Sequence, residues 1–386
     1  MESLSRQILK ALQSVLPKDT SFITLHEPCM KGNEWDYVKE CLDTGWISSA
    51  GKFVDQFESM LSQYTGAKFA IAVVNGTAAL HMCLLLADVQ SGDEVIIPAL
   101  TFVATANAVS YCGAIPNFSD SDERTLGICP HKLRNYLKEI AIKKQNGCFN
   151  KQSGRRIRAI VPVHIFGHPV DIDPIKEICD EYAIVLIEDA AESLGSFYKG
   201  RHTGNTGLVS AISFNGNKTI STGGGGAILT NDEHLAKRAK HLTTTAKLPH
   251  KWEYNHDQIG YNYRLPNLNA ALGVAQLEQL PGFLESKRNL ANRFENAFNQ
   301  VDGVRFFKEP DFARSNYWLN CILLKQQDKE QFNAILELCN NNGFMTRPAW
   351  TLLNELPMYK SCSQMHLTNA KSIVKRLINI PSSAYL

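Results

Sequence analysis

The chain has 386 residues, a formal net charge of +2, 44% hydrophobic residues and 20% charged residues. This length predicts about two or three domains, and the composition is typical of a globular enzyme with a large core. Because affinity for a phosphate backbone needs clustered Lys and Arg, and no dense basic block occurs, nucleic-acid binding is not expected. No apolar run approaches the ~20 residues that span a bilayer, so no membrane segment is expected either.

The N-terminus, residues 1–22, is predicted to be a short amphipathic helical extension whose helix ends near Pro17. Charges within its apolar stretch and the lack of a small-residue cleavage site argue against a secretory signal. The ten cysteines form no C-x-x-C pair, so we expect buried free thiols rather than disulfides or a zinc site. Free thiols are typical of a reducing compartment. The sequence therefore predicts a cytoplasmic protein without a metal.

Seven short apolar runs alternate with amphipathic stretches between about residues 65 and 230. Because these runs are continuously apolar, they predict strands buried on both faces of a mostly parallel sheet, with helices between them. Ligands of such sheets bind at the carboxyl ends of the strands, so the residues that follow each run are candidates for function. The runs are FAIAVV (69–74), EVIIPA (94–99), AIPNFSD (114–120), RAIVPVHIF (158–166), AIVLIED (183–189), LVSAISF (208–214) and GAILTN (226–231).

The pattern changes after Pro266, where a long helical segment begins that we expect to be interrupted at Pro281. A strand-like segment over 318–324 and a helical segment over 329–343 follow it. We therefore predict a large α/β domain over 23–270, and a linking helix with a smaller α+β domain over 271–386.

Two motifs at strand ends supply groups suited to a phosphate and to a protonated ring nitrogen. Gly76 and Thr77, in NGTAAL after the first strand, would present N–H groups and a hydroxyl at a helix N-terminus, where the dipole favours an anion. The same residues are also an ordinary helix start. Asp189 ends a strongly apolar strand, where a carboxylate is costly without a cationic partner such as a pyridinium N–H. Its alternative role is to cap a helix that follows.

Two further motifs place a lysine and an aromatic ring at strand ends. Lys218 lies in SFNGNKTISTGGGG, before four glycines that suggest a close approach of the backbone to a ligand. An isolated lysine is normally solvated, but Ser213, five residues earlier, could bind the phosphate of the same ligand. Phe102 either stacks on a planar ring or belongs to the core. In this order and at strand ends, the four motifs indicate pyridoxal 5′-phosphate (PLP) held at Lys218 as a Schiff base.

With these motifs the sequence resembles the PLP-dependent nucleotide-sugar aminotransferases of the DegT/DnrJ/StrS type, from about Ile23 to the C-terminus. The resemblance implies the aspartate-aminotransferase-type α/β fold (PLP fold type I), with a mostly parallel central sheet in the large domain and a smaller α+β C-terminal domain. It also implies that Lys218 is the Schiff-base lysine and that Asp189 is the partner of the ring nitrogen, which makes them the catalytic residues.

The same resemblance implies the remaining cofactor contacts and a homodimer with shared active sites. An asparagine of the neighbouring subunit reaches the cofactor phosphate in the family, and Asn262 in GYNYRLPNLNAALG matches it. The other contacts implied are Gly76, Thr77 and Ser213 at the phosphate, Phe102 and Ala191 at the two ring faces, and Glu192 beside the cofactor hydroxyl, where Gln or His is often found.

Several strings resemble most closely the aminotransferases of the legionaminic-acid and bacillosamine type, among them SFNGNKTISTGGGG, HLTTTAKLPHKWEY and RPAWTLLNELP. The implied reaction transfers an amino group from L-glutamate to C4 of a UDP-4-keto-6-deoxy-N-acetylhexosamine, for surface-glycan biosynthesis. Perosamine synthases carry the same G-N-K-T string, so a GDP-sugar or a dTDP-sugar is the alternative substrate. Lys218 stands where sugar 3-dehydratases of this family have His, which disfavours dehydration.

Candidate contacts to the sugar nucleotide come from two regions. The loop TGWISSAG (44–51) matches a family loop beside the substrate, and its candidates are Trp46, Ser48 and Ser49. In the C-terminal domain, Tyr317 and Arg347 are candidates for the pyrophosphate or the hexose, because Arg makes bidentate contacts with phosphate. A structural role is the alternative for all five residues. His164, at the end of a strand, is expected to be a structural histidine.

Other kinds of protein also fit parts of the pattern. One is another enzyme of the same fold, such as a sugar dehydratase or an amino-acid transaminase. A second is a PLP-binding regulatory protein without catalysis, in which L-glutamate would leave the ~400 nm cofactor absorbance unchanged. A third, a structural protein without a cofactor, would be colourless.

Overall fold

The strands predicted from the apolar runs form a single sheet in the computed structural model, which describes residues 2–17 and 21–386. The strands of these segments are β1 (Phe69–Val73), β2 (Glu94–Pro98), β3 (Ile115–Ser119), β4 (Ala141–Lys144), β5 (Gly147–Asn150), β6 (Ile157–Ile160), β7 (Val185–Asp189), β8 (Phe197–Tyr198), β9 (Arg201–His202), β10 (Val209–Ser213), β11 (Gly226–Thr230), β12 (Val304–Phe306), β13 (Ala313–Arg314), β14 (Asn320–Leu324), β15 (Arg347–Pro348) and β16 (Leu377–Ile380).

The helices are α1 (Leu4–Val15), α2 (Glu34–Thr44), α3 (Lys52–Thr65), α4 (Gly76–Leu86), α5 (Ala104–Tyr111), α6 (Pro130–Ile140), α7 (Ile172–Tyr182), α8 (Glu233–Thr243), α9 (Asn267–Phe298), α10 (Lys329–Asn341) and α11 (Thr368–Val374). Short 3₁₀ turns lie at Ile165–Gly167, Leu353–Glu355 and Pro357–Tyr359.

The central sheet has seven strands in the order β1-β11-β10-β7-β6-β2-β3. β11 pairs antiparallel with both of its neighbours, and the other neighbouring strands are parallel. Helices cover both faces: Ile71 and Val73 of β1 pack in one apolar cluster with α4, and Ala70 and Ala72 in another with α3 and α9. This double burial explains why the strands have continuous apolar sequences, and the predicted mostly parallel sheet is confirmed.

The C-terminal part of the chain contains a second sheet, with antiparallel pairs in the order β12-β14-β16-β15. Its core also takes in the N-terminal helix α1, whose Ile8 and Leu12 are buried against apolar residues of α9 and α10. The extension is therefore packed on the C-terminal part rather than projecting from the large sheet. The division of the chain into 1–22, 23–270 and 271–386 stays a prediction.

Helix α9 runs from Asn267 to Phe298 without a break, so the predicted interruption at Pro281 is wrong. A proline inside a helix lacks only its own N–H as a donor, and packing on both sides of that position compensates for the lost hydrogen bond. Leu280 and Phe283 are buried in the cluster beneath the large sheet, while Phe294 is buried in the C-terminal core. The helix thereby connects the two cores.

The ten cysteines all lie within the described segments, and each is a free thiol. Over the same segments no helix combines the length and the apolar character needed to cross a membrane. Nor do three or more His, Cys, Asp and Glu side chains of residues 2–17 and 21–386 come together as a metal site.

Glu188 of β7 is a buried carboxylate that holds the segment before β10 in place. Its oxygens accept hydrogen bonds from three backbone N–H groups within residues 204–207, at 2.6–2.9 Å, and from Nε2 of His164 at 3.1 Å. Nδ1 of His164 accepts a hydrogen bond from the N–H of Val170, so the imidazole is fully used as a structural group. Burial acts to raise the pKa of Glu188, but the hydrogen bonds from His164 and the backbone outweigh it and hold the pKa below its ordinary value.

We expect Glu188→Gln to lower the free energy of unfolding at pH 7 by about 3 kcal/mol, because an amide NH₂ would face donors that now converge on a carboxylate. A carboxylate with a lowered folded-state pKa stabilises the fold above its unfolded-state pKa, and this contribution is lost as the pH falls through the folded-state value. The difference between wild type and variant should therefore shrink below about pH 4.5, the ordinary value for Glu.

Urea unfolding followed by circular dichroism between pH 7 and pH 3.5 measures this difference. Glu177→Gln is the control, because Glu177 is exposed and lies 3.8 Å from Arg134; its effect should stay below about 0.5 kcal/mol. A constant difference for Glu188→Gln over the whole pH range would contradict the assignment.

Candidate functional site

A cavity of about 300 Å³ opens where the carboxyl ends of β1, β2, β6, β7 and β10 meet. This volume suits a small organic ligand, and the place is the usual one in parallel α/β sheets. Eight residues nominated from the sequence line it: Gly76, Thr77, Phe102, Asp189, Ala191, Glu192, Ser213 and Lys218. Residues from distant parts of the sequence thus converge because parallel strands place their ends at one edge of the sheet.

One end of the cavity is the N-terminus of α4, where Asn75 caps the helix by accepting a hydrogen bond from the N–H of Ala78 at 2.7 Å. A Cβ atom on Gly76 would lie 2.7 Å from Cβ of Ser213, so only glycine lets the helix approach β10 this closely. The first N–H groups of a helix have no acceptor within it, and here the hydroxyls of Thr77 and Ser213 line the cavity beside them. The arrangement suits a bound phosphate.

The glycine run after Lys218 has a related function. A Cβ atom on Gly226, the first residue of β11, would lie 2.5 Å from the backbone of Asn75. Glycine at this position therefore lets β11 pass directly beneath the turn that begins α4. The run serves the close approach of two backbone segments that form the phosphate end of the cavity.

Asp189 is buried at the end of β7 and lines the cavity. One of its oxygens accepts a hydrogen bond from the Thr105 hydroxyl at 2.8 Å, and the other from the N–H of Ala191 at 3.2 Å. Burial raises the pKa of Asp189, and this carboxylate forms no ion pair with any described residue. Residues 190–196, all described, form turns, so the alternative that Asp189 caps a helix is wrong. A cationic ring N–H fits this carboxylate.

Lys218 lies in the turn after β10, and its side chain is only 14% exposed. The ammonium is 3.4 Å from Oε1 of Glu192 and 3.6 Å from the ring centroid of Trp318. The alternative of a solvated surface lysine is therefore wrong. A lysine that is anchored in the wall of a cavity, with its amine pointing along that wall, can react with an aldehyde bound there.

Glu192 is buried between the lysine and the polypeptide backbone. Its Oε2 accepts a hydrogen bond from the N–H of Phe166 at 2.8 Å, while Oε1 faces Lys218. Burial raises the pKa of Glu192, against the opposing effect of the Lys218 charge. The side chain thus occupies a position next to the reactive amine that the sequence resemblance had left open.

Two tryptophans that the sequence analysis missed close the cavity from the C-terminal part. Trp318 donates a hydrogen bond from Nε1 to the carbonyl of Asn217 at 2.6 Å, and Trp350 packs 4.8 Å from the ring of Phe166 and 6.1 Å from that of Phe102. Trp318 directly follows the candidate Tyr317, and Trp350 lies in the string RPAWTLLNELP. A large aromatic residue in each segment was the available signal.

Thr105 and the turn residues Asn215 and Asn217 also line the cavity and were not predicted. Thr105 lies in the first turn of α5 and donates a hydrogen bond to Asp189, 84 residues later in the chain. The sequence PALTFVATANAV around Thr105 does not indicate this contact. Only the packing of α5 against the end of β7 brings the two together.

Tyr317 and Arg347 do not line the cavity, and a contact of either with the pyrophosphate or the hexose stays a prediction. The ring of Tyr317 is 3% exposed and packs against Phe306 and His168 in the C-terminal core. The backbone turns at Tyr317, whose φ of 47° lies in the left-handed region, and Trp318 rather than Tyr317 lines the cavity. Arg347 is exposed, and its guanidinium contacts Asn340 instead.

The remaining candidates lie on the surface of the single chain, away from the cavity. Trp46 is 60% exposed, and Ser48 and Ser49 beside it are exposed too. The carbonyl of Ser48 accepts a hydrogen bond from the N–H of Asn267, which attaches the loop to the start of α9. Asn262 is exposed and pairs with Thr244. The substrate contacts of Trp46, Ser48 and Ser49 stay predictions, and so does the contact of Asn262 with the cofactor phosphate of a neighbouring subunit.

The groups around the cavity fit PLP. A helix N-terminus with two hydroxyls suits its phosphate, a buried carboxylate without a cationic partner suits its ring nitrogen, and an anchored lysine suits its aldehyde. Phe102 and Ala191 line the space between these groups, where the ring would lie.

Comparison with known proteins gives a consistent result. Residues 28–386 match the DegT/DnrJ/EryC1/StrS aminotransferase family. The GDP-perosamine synthase of Escherichia coli O157:H7 is 38% identical over 364 residues, which cover 94% of this chain and 93% of that protein. The GDP-perosamine synthase of Caulobacter vibrioides is 36% identical over 371 residues, which cover 95% of each chain.

Among solved structures, Helicobacter pylori PseC, an aminotransferase involved in the biosynthesis of pseudoaminic acid, superimposes with a TM-score of 0.85. It is 25% identical, and the superposition covers 95% of each chain. The predicted PLP fold type I is thereby confirmed. The chain belongs to the DegT/DnrJ/EryC1/StrS aminotransferase family and is a PLP-dependent aminotransferase.

Proposed function

We propose that the enzyme transfers an amino group from L-glutamate to C4 of a GDP-linked 4-keto-6-deoxyhexose, giving a GDP-4-amino sugar for surface-glycan biosynthesis. The observation that carries this proposal is the cavity with Lys218 and Asp189 in a chain that shares 38% of its residues, nearly end to end, with a GDP-perosamine synthase. The reaction takes place in the cytoplasm, where ten free thiols are stable.

We therefore propose a GDP-sugar as the substrate, in place of the UDP-N-acetylhexosamine expected from the sequence. The likeness to legionaminic-acid and bacillosamine enzymes rests on short strings, whereas the likeness to the two GDP-perosamine synthases extends over more than nine-tenths of the chain. A likeness over nearly the whole chain is broader support than one that rests on short strings. It therefore favours the alternative that the G-N-K-T string left open.

PLP, when bound, supplies an aldehyde that condenses with amines and an electron-poor ring that accepts the electron pair of a breaking bond. The enzyme's own residues hold and orient it. Gly76, Thr77 and Ser213 bind the phosphate through backbone N–H groups and hydroxyls. Asp189, kept in place by Thr105 and Ala191, holds a proton on the ring nitrogen, which the raised cost of a buried, unpaired carboxylate makes favourable.

Lys218 has two functions. It would anchor the cofactor between turnovers, and its released amine, which lies within the same cavity, would take the proton from the α-carbon of glutamate. In the second half of the reaction the same proton movement runs in the opposite direction at C4 of the sugar. A single base therefore serves both substrates.

The sugar nucleotide enters past Phe102 and Trp350, whose rings line the mouth of the cavity. The cavity volume of about 300 Å³ is at the low end for a drug-sized ligand, so the nucleotide extends beyond it. We propose that a second subunit covers it there, with Asn262 and the loop of Trp46, Ser48 and Ser49 as its contacts, in a homodimer. These residues are exposed on the single chain and are therefore accessible to a second subunit.

Lys218→Ala should abolish the ~400 nm absorption band of the purified enzyme, because the cofactor can no longer form a covalent bond with the protein. The rate of amino transfer should fall about 10³-fold or more, as expected when a general base is lost. Lys176→Ala, which removes an exposed lysine paired with Asp180, is the control and should retain both the band and the activity. An unchanged band in Lys218→Ala would reject the assignment.

A substrate panel tests the sugar nucleotide. GDP-, UDP- and dTDP-4-keto-6-deoxy sugars are each incubated with ¹⁵N-labelled L-glutamate, and the amino product is identified by mass spectrometry and NMR. We expect kcat/KM for the GDP-sugar to exceed the others by about 100-fold, the discrimination that base-specific hydrogen bonds can provide. Preference for a UDP-N-acetylhexosamine would instead support the legionaminic-acid or bacillosamine type.

A further inference from the structure

The Lys218 ammonium occupies a site built from two side chains. Oε1 of Glu192 lies 3.4 Å from Nζ on one side, and the ring centroid of Trp318 lies 3.6 Å away on the other. Both distances are those of favourable interactions, an ion pair and a cation–π contact in a setting largely shielded from water. The lysine side chain therefore has a defined position when it is not bonded to anything else.

Each wall of this site is held by separate contacts. Glu192 is fixed through Oε2 by the Phe166 N–H at 2.8 Å, and Trp318 is fixed through Nε1 by the Asn217 carbonyl at 2.6 Å. Asn217 directly precedes Lys218 in the chain, so the indole and the lysine belong to one connected unit. Neither Glu192 nor Trp318 would need to move for the ammonium to enter or leave.

The charges around the site leave Glu192 as the carboxylate that pairs with Lys218. Asp189 is the other carboxylate close by, but its oxygens are bound by Thr105 and Ala191 and it faces the cavity. His26 is also buried nearby, and burial, together with the charges of Lys287 and Lys218, holds its pKa well below the ordinary value. Neither ring nitrogen of His26 has a hydrogen-bond partner among the described residues, so it makes no hydrogen bond with Lys218. Glu192 is thus the acceptor within hydrogen-bonding distance.

We propose that Glu192 is the proton-holding partner of Lys218, and that with Trp318 it forms a resting site for the lysine whenever the lysine is not bonded to the cofactor. One proton is shared between the two groups: Lys218-NH₃⁺ with the Glu192 carboxylate converts to Lys218-NH₂ with the Glu192 carboxylic acid. The net charge of the pair stays zero, so no charge enters or leaves the buried site. This proposal deepens the proposed function and rests on its assignment of Lys218 as the base.

The consequence for the reaction concerns the timing of the proton. A lysine that has just been released must take a proton from one carbon and deliver it to another without losing it to water. A buried carboxylate that can hold the proton keeps it within the cavity during that interval. Glu192 therefore acts as a positioning residue for Lys218, a role distinct from binding either substrate.

The first experiment uses the cofactor-free protein and no sugar. Trace acetylation by acetic anhydride at pH 7.5, followed by peptide mass spectrometry, measures the reactivity of each lysine. In Glu192→Gln the amide no longer stabilises the ammonium as an ion pair, so a larger fraction of Lys218 is the unprotonated, reactive amine. The acetylation rate of Lys218 should therefore rise at least 5-fold, which is less than the roughly tenfold change that one pKa unit represents. Lys132, which pairs with Asp120, should react at the same rate in both proteins.

The second experiment follows the glutamate half of the reaction by stopped-flow absorbance. Glu192→Gln should lower the limiting rate constant about 10-fold while leaving the half-saturating glutamate concentration unchanged, because proton movement and not binding is affected. Glu192→Asp, which retains the carboxylate on a shorter side chain, should recover part of both effects. Glu58→Gln is the matched control: it removes a similarly buried carboxylate, paired with Arg264 outside the cavity, and should alter neither measurement.

Circular dichroism and thermal unfolding establish that each variant is folded. Unchanged Lys218 reactivity in a folded Glu192→Gln protein would overturn the proposal, and so would a change confined to the half-saturating glutamate concentration. Neither readout involves a sugar. Failure of the GDP-sugar in the substrate panel would therefore reject the proposed acceptor and leave this inference standing, whereas normal sugar turnover with unchanged lysine reactivity would reject this inference alone.

Discussion

Three carboxylates, those of Glu188, Asp189 and Glu192, are buried within five residues at the end of β7. The site is organised around the interactions that offset the free-energy cost of burying them. An ionised group in the interior is costly unless it is paired or hydrogen-bonded. Glu188 accepts hydrogen bonds from backbone N–H groups and from His164, and it has a structural role. Asp189 accepts two hydrogen bonds and has no cationic partner among the described residues, whereas Glu192 forms an ion pair with Lys218. The differences in compensation separate one structural carboxylate from two that are available for chemistry.

The C-terminal part of the chain completes this charge arrangement. Asn316, just before β14, donates hydrogen bonds from its amide to the carbonyls of Glu192 and Leu194 at 2.9 Å, and Trp318 covers Lys218 two residues later. The segment between them holds the turn after β7 and the turn after β10 together. Because α9 packs in both apolar cores, the two parts of the chain keep a fixed relation across the cavity.

The comparison with relatives changes the substrate and leaves the chemistry as it was. A short string beside the cofactor, such as G-N-K-T, is expected in enzymes with different sugar nucleotides, because each of them binds the same cofactor. The similarity to GDP-perosamine synthases extends over 94–95% of the chain, far more than those strings cover. The proposal for the acceptor accordingly moves to a GDP-sugar, while the assignments of Lys218 and Asp189 need no revision.

The sequence alone was sufficient to predict the sheet, the cofactor and eight of the residues that line the cavity. Apolar runs buried on two faces are visible without a structure, and residues at the ends of parallel strands converge by geometry, so Gly76, Asp189, Ser213 and Lys218 could be nominated together. The continuity of α9 through Pro281 could not be predicted from the sequence, because it depends on packing on both sides of the helix.

Contacts between distant segments were likewise beyond sequence reasoning. Trp318 rather than Tyr317 lines the cavity because the backbone turns at Tyr317, where φ is positive, and the Tyr317 ring packs in the C-terminal core. Thr105 reaches Asp189 only through the packing of α5 on the sheet. Glu192 was recognised as unusual, but its place beside the Lys218 ammonium follows from the fold of two turns that are 26 residues apart in the chain. Strand ends are encoded locally, whereas side-chain partners are set by tertiary packing.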